Sequence, residues 1–154
     1  MSINNQKGNV LRFSGKQDEA IAQYKKTVEL FPDALFARGN LASIYEAKGM
    51  YSEAVEQRQI VAKLAGISPD EIKSRQLAFE KNGYSGFVQK LLEFQLDRQR
   101  SVVEKDKNAY LPGFAIASIY ARLHDKEKTI EYLNKAYDQR EPQMPYNSIR
   151  AEFE

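Results

Sequence analysis

The chain has no cysteine, which excludes a disulfide framework and any thiolate metal site. It has one histidine, His124, so no metal site can rest on two imidazoles. The Gly-x-Ser-x-Gly elbow of a nucleophilic serine is absent too. Carboxylate neighbours such as Asp18/Glu19 and Glu53/Glu56 fall at expected helix starts, where the helix dipole accounts for them better than acid–base chemistry does. Gly83-Tyr84-Ser85-Gly86 is too short and wrongly placed for a phosphate loop. The sequence reads as non-catalytic, with no cofactor.

An excess of one charge is also missing. The 23 basic and 21 acidic residues leave a formal charge of +2, which gives no electrostatic case for nucleic acid. The densest cationic stretch, Arg98 to Lys107, is broken by Glu104 and Asp106 and reads as a solvated helix face. Long apolar runs are absent: Met1-Ser2-Ile3-Asn4-Asn5-Gln6-Lys7 lacks the core of a signal peptide, and no stretch is long enough to span a bilayer. The expectation is a soluble protein without membrane insertion, compatible with cytoplasm or periplasm.

What is present is repetition. Gly15, Gly49 and Gly83 stand 34 residues apart, and His124 follows 41 residues later at an equivalent turn. Four places before each turn sit Leu11, Tyr45, Phe79 and Tyr120, all large. Five places after come Ala20, Ala54, Val88 and Thr129, small or β-branched. Nine places after come Tyr24, Arg58, Leu92 and Leu133, with Arg58 the exception. Pro32 and Pro142 close the first and last copies. Small residues let two helices approach to about 8–10 Å while large ones fill the gaps beside them. Glycine supplies the positive φ that ends the first helix, and histidine tolerates that geometry better than most residues.

This pattern resembles the tetratricopeptide repeat, with residues 35–68 (Leu41, Ala42, Tyr45, Gly49, Tyr51 and Ala54) the best single copy. The resemblance implies an all-α fold, a right-handed α-solenoid of about four antiparallel helix hairpins. The repeats would run about 1–34, 35–68, 69–109 and 110–142 in a single domain, with 143–154 a partial C-terminal cap. Helices are expected at 2–14, 17–31, 34–48, 51–65, 69–82, 85–105, 110–123 and 126–139. Ser68-Pro69-Asp70-Glu71 forms a capping box, and Asp33, Ser85 and Asp125 are further cap candidates. Ala20, Tyr24, Val28 and Phe31 should form one buried stripe, and Ile116, Tyr120 and Leu123 another. Arg75 and Gln76 break the apolar pattern of the third copy, so its first helix is divergent or rotated. The seven extra residues before the fourth turn lengthen the second helix of the third hairpin.

Both ends look cut. The first copy begins at Met1 without a cap, and Tyr146, Ile149 and Phe153 suggest a last helix that stops at Glu154. The open stacking face is expected to carry Tyr132, Ala136 and Tyr137. A narrower likeness covers roughly 65–140, in Phe79-Glu80-Lys81-Asn82-Gly83 and Ile119-Tyr120-Ala121-Arg122-Leu123-His124-Asp125. It is similar to the C-terminal tetratricopeptide region of bacterial signalling proteins that carry a winged-helix or kinase domain, neither of which occurs in this sequence.

The resemblance implies a protein-interaction module with a groove lined by the first helix of each hairpin. The residues it puts there include Asn9, Phe13, Phe36, Asn40, Ser43, Lys73, Leu77, Phe114, Ser118 and Arg122. The partner would be a protein or peptide; the alternatives are a regulatory or sensor segment of a larger bacterial transcriptional regulator or kinase, and a scaffold that self-associates through uncapped ends. Asn9 and Asn40 match two positions of a clamp by which some members of the family grip acidic chaperone tails. Asn5, Asp70 and Ser74 stand where that clamp needs cations, and only a rotated helix would bring Lys73 and Arg75 into their place. No useful affinity for an acidic tail is expected, and Phe13, Phe36 and Phe114 are expected to receive apolar side chains instead.

Overall fold

A residue held at positive φ stops a helix and turns the chain back, and this sequence places one at each expected turn. Gly15, Gly49, Gly83 and His124 have φ of 73°, 71°, 64° and 57°. The computed structural model describes residues 3–107 and 109–141. Among them are seven helices and no strand: α1 Ile3–Phe13, α2 Gln17–Leu30, α3 Leu35–Ala47, α4 Tyr51–Leu64, α5 Pro69–Lys105, α6 Gly113–Arg122 and α7 Lys126–Asp138. The fold class is all-α, as a repeat of helical hairpins requires.

Most of the helix ends share one backbone device. After α1, Gly15 N–H bonds to Arg12 C=O and Lys16 N–H to Leu11 C=O; after α3, Gly49 bonds to Glu46 and Met50 to Tyr45. His124 to Ala121 and Asp125 to Tyr120 repeat the pair after α6. These are paired 5→2 and 6→1 bonds around a left-handed residue, which satisfy carbonyls the helix would otherwise leave open. The same pair closes α4 at Gly66 and α7 at Arg140 (φ 52°), two ends that the 34-residue period does not mark.

Within residues 1–73, one of the two compact units of the chain, α1 packs on α2, α2 on α3 and α3 on α4. Ala20, Tyr24, Ala37, Leu41, Ile44, Tyr45 and Ala54 form its core. The expected stripe on α2 is only half right. Ala20 and Tyr24 are buried and Val28 is half-buried, but Phe31 is exposed and Thr27 is buried in its stead. Thr27 tolerates this because its hydroxyl donates to Gln23 C=O at 2.9 Å. Asp33 is not the cap of α3: Ala34 holds that position and no side chain bonds to the helix start. Arg38 Nε instead donates to Pro32 C=O at 2.7 Å and ties the connection down. Ser68 does cap α5, accepting from Glu71 N–H at 3.2 Å.

Within residues 74–154, the second unit, the expected separation of 69–82 from 85–105 shows as a break inside α5 at Gly83 (ψ −157°). The chain doubles back there tightly. A Cβ on Gly86 would stand 2.4 Å from Ala78 C=O, so no larger residue fits. The long second half, to Lys105, absorbs the seven extra residues. Ser85 lies inside the helix, while Asp125 caps α7 by accepting from Lys128 N–H at 2.9 Å. α6 packs on α7, with Ile116 and Ala117 buried and Tyr120 half-buried against Tyr132, ring centroids 5.5 Å apart. Tyr120 and Leu123 are less buried than expected. Ala136 is the reverse: it is buried beneath Gly113 rather than open on a stacking face. Pro142, Tyr146, Ile149 and Phe153 lie outside the described residues.

His124 pays the steric penalty that glycine avoids at the other turns, roughly 1–2 kcal/mol for a left-handed L-residue. Its replacement by glycine gives some of that back as chain entropy. The expected result for His124→Gly is a net gain of about 0.5–1 kcal/mol, seen as a higher midpoint in urea. A lower midpoint would mean that the imidazole contributes more than its backbone costs.

Candidate functional site

The site is built outward from a small residue. A Cβ on Gly8 would stand 2.5 Å from Cε1 of Tyr24, so the absence of a side chain there is what lets the Tyr24 ring lie flat against α1. The ring is fully buried. Its hydroxyl reaches α1 and donates to Asn9 Oδ1 at 2.5 Å. Asn40 Nδ2, from α3, donates to the same oxygen at 2.9 Å. Burial pushes the Tyr24 phenol above its ordinary value, against the opposing effects of Arg12 and of the hydrogen bond with Asn40. The phenol is therefore a donor throughout the neutral range.

One carbonyl oxygen thus joins α1, α2 and α3. Because the Asn9 oxygen accepts from Tyr24 and Asn40, its two N–H donors and the Asn40 carbonyl are among the polar groups left for a ligand or water. Phe13 stands one turn beyond Asn9 on α1 and is 63 % exposed; Phe36 stands one turn before Asn40 on α3 and is 70 % exposed. Arg12 sits over the Phe13 ring at 5.7 Å. Farther along α3, Ser43 donates to Gly39 C=O and accepts from Arg58 Nη2 at 3.2 Å. Arg58 also grips Glu46 through Nε–Oε1 and Nη2–Oε2, both 2.9 Å. This explains the one residue that breaks the apolar pattern nine places after the turn. Arg58 gives up core packing to hold the Glu46 carboxylate in a two-point, partly buried pair.

The structure joins Asn9 to Asn40; Phe13 stands on the helix of the first, and Phe36 and Ser43 on the helix of the second. Lys73 and Leu77, on α5, are exposed. Phe114 and Ser118, on α6, are buried, with Phe114 only 7 % exposed; as anchors offered to a partner they are corrected by their burial. Arg122, half-buried, donates to Ser118 C=O at 3.3 Å. Arg75 is also buried, which removes it as a surface substitute for the missing clamp cations. Sequence reasoning missed Gly8 and the Tyr24 hydroxyl. Gly8 stands sixteen residues before Tyr24, and no local pattern links the two.

Residues 2–33 match the tetratricopeptide repeat family model. The match covers the first hairpin, α1 and α2, and so includes Gly8, Asn9, Phe13 and Tyr24. No curated protein matches the chain. Tetratricopeptide repeats generally mediate protein–protein interaction, and the family is typically non-catalytic. Among the described residues no group of three or more His, Asp or Glu could hold a metal ion, and no helix is long and apolar enough to cross a membrane.

The electrostatics of α7 offer a separate check on the surface. Glu131 accepts from Lys128 and Lys135, each at 2.7 Å, and these hydrogen bonds lower its carboxyl to about 2. A depressed carboxyl stabilises the fold above its ordinary value near 4.5 and loses that effect as pH falls through about 2. The group is solvent-exposed, so salt should screen much of it. A side-chain NMR titration is expected to find the Glu131 midpoint well below the other glutamates at low salt and to see it rise in 1 M salt.

Gly8→Ala tests the packing under the site. Its methyl group must displace the Tyr24 ring, at a cost of about 1–3 kcal/mol. The side-chain amide resonances of Asn9 and Asn40 should shift with it. Unchanged stability and unchanged amides would show that the ring has room to spare.

Proposed function

We propose that the α1/α3 face of the first unit is a protein-interaction surface that takes an extended, mainly apolar segment of a partner protein. The observation that carries this is the pair of exposed rings, Phe13 and Phe36, on either side of the Asn9–Asn40 amide pair. Each ring is four residues from its asparagine, about 6 Å along a helix. α1 and α3 run the same way, since each reverses through α2, so the rings are offset by about 12 Å along that direction. An extended chain advances about 3.3 Å per residue. The face would therefore suit two apolar side chains about four residues apart, with the amides reading the backbone between them.

Charge speaks against an acidic tail as that partner. Asp70 is exposed where the chaperone-tail clamp needs a cation, and Glu46 is already matched by Arg58. A carboxylate-terminated peptide would meet repulsion from Asp70 at a position where the clamp needs a cation. A second reading makes the chain a regulatory segment of a larger bacterial signalling protein, or a self-associating scaffold. The signalling likeness rests on residues 65–140, outside the matched 2–33. Self-association is favoured by the exposure of Ile130 and Tyr137 on α7; sedimentation at several concentrations separates it from the first reading.

Peptides selected against the intact chain from a random library are expected to carry two apolar residues about four apart. They should shift the amide resonances of Asn9, Asn40, Phe13 and Phe36. Truncating both exposed rings in a Phe13→Ala/Phe36→Ala variant leaves the core intact and should weaken binding at least tenfold, as expected of aromatic hot spots. Equal affinity for the variant would place the binding face elsewhere. Micromolar binding of a chaperone-tail peptide that is lost in Asn40→Ala would restore the clamp.

A further inference from the structure

The α1/α3 face carries one charge without a counter-charge. Arg12 stands three residues after Asn9 on α1, about 60° round the helix from it and so on the same side. The side chain is half-buried, and its guanidinium lies over the exposed Phe13 ring, 5.7 Å from the ring centre. Burial raises the Tyr24 phenol and the Arg12 charge opposes that rise. The guanidinium therefore lies within electrostatic reach of the hydroxyl that fixes the amide pair.

The other charges near this end are paired. Glu46 stands 34 residues after Arg12, at the equivalent place on α3, but both of its oxygens accept from Arg58. Lys16 pairs with Glu19 and Lys48 with Asp18 at the neighbouring turns. Lys7, exposed on α1, lies about 200° round the helix from Asn9, on the far side. Among the described residues no carboxylate pairs with Arg12. The Phe36 end has no such excess. Asp33, and Asp70 in the place equivalent to Phe36 one repeat on, are balanced by Arg38 and Lys73.

A guanidinium stacked on a ring keeps its N–H edge for other partners, and a carboxylate can take two of those donors at once. The 5.7 Å between guanidinium and ring is less than two steps of an extended chain, at about 3.3 Å each. We propose that Arg12 receives an Asp or Glu side chain of the bound segment, within two residues of the apolar side chain on Phe13. This depends on the α1/α3 face being the binding surface. It gives the face a direction, because a segment with an acid beside only one of its two anchors binds one way round. An acid at the Phe13 end also stands away from Asp70.

Peptides selected against the intact chain from a random library are the probe. They should carry an Asp or Glu within two residues of one apolar anchor. Replacing that acid by its amide should weaken binding to the unaltered protein about tenfold, the loss of one charge-assisted pair. This comparison needs no protein variant, so folding does not enter it. On Arg12→Gln the acidic and amide peptides should bind alike. Only the acidic peptide should lose affinity in about 1 M salt. Selected peptides without an acid, or an acid effect that persists in Arg12→Gln, would overturn the role of Arg12 and leave the face standing. Equal binding by the Phe13→Ala/Phe36→Ala variant, or a library that yields no binder, would remove the face and Arg12 with it.

Discussion

Three of the hairpins depend on one backbone event: a residue at positive φ whose own N–H and the next one close on the preceding turn. A helix that ends without this leaves carbonyls unsatisfied. With it, the chain reverses within three or four residues, and the two helices it joins must lie antiparallel and close. At Gly15, Gly49 and His124 the paired bonds are all present. Closeness then dictates residue size at the crossing. Ala20, Ala54, Val88 and Thr129, five places after each turn, are all buried. Thr129 can stand there because its hydroxyl bonds to Asp125 C=O at 2.7 Å.

Where the crossing is tightest, glycine rather than alanine is needed, and this is where packing reaches the surface chemistry. Gly8 admits the Tyr24 ring, the ring delivers a hydroxyl to Asn9, and Asn9 holds Asn40. A polar pair on an exposed helix face is ordinarily loose. Here a buried phenol fixes one amide, and that amide orients the next, so the polar groups between Phe13 and Phe36 are already in place before anything binds. Preorganisation of this kind lowers the ordering cost of association without adding any contact.

The spacing of Gly15, Gly49, Gly83 and His124 was enough to place the turns, because positive φ is a local demand that the sequence must meet with a particular residue. The helices between them followed to within a residue or two, save that α6 begins at Gly113 rather than near 110. What could not be read were features set by distant partners. Arg58 looked like a defect until Glu46 and Ser43, on the neighbouring helix, gave its guanidinium three acceptor contacts. Phe114 looked like an anchor, because its register is right; its burial is a property of what surrounds it. Asp33 looked like a cap by position, but Arg38 had already fastened that connection.

Glu141 shows the same limit most clearly. Nothing near it in sequence calls for an acidic residue, and its carboxylate serves a helix that starts twenty-eight residues earlier. Pro112, before α6, has no side chain that can accept from the first N–H groups of the helix. A carboxylate brought in from elsewhere does so, and the positive end of the helix dipole favours its charge. Burial, the charge of Glu141 and a hydrogen bond to it push the Tyr110 phenol above its ordinary value; with Tyr110 56 % exposed, the carboxylate is the weightier cause. Glu141 is thus held by two backbone donors and a phenol at the point where α7 ends and α6 begins. Loss of the charge would loosen both ends together, so one side chain couples the end of α7 to the start of α6.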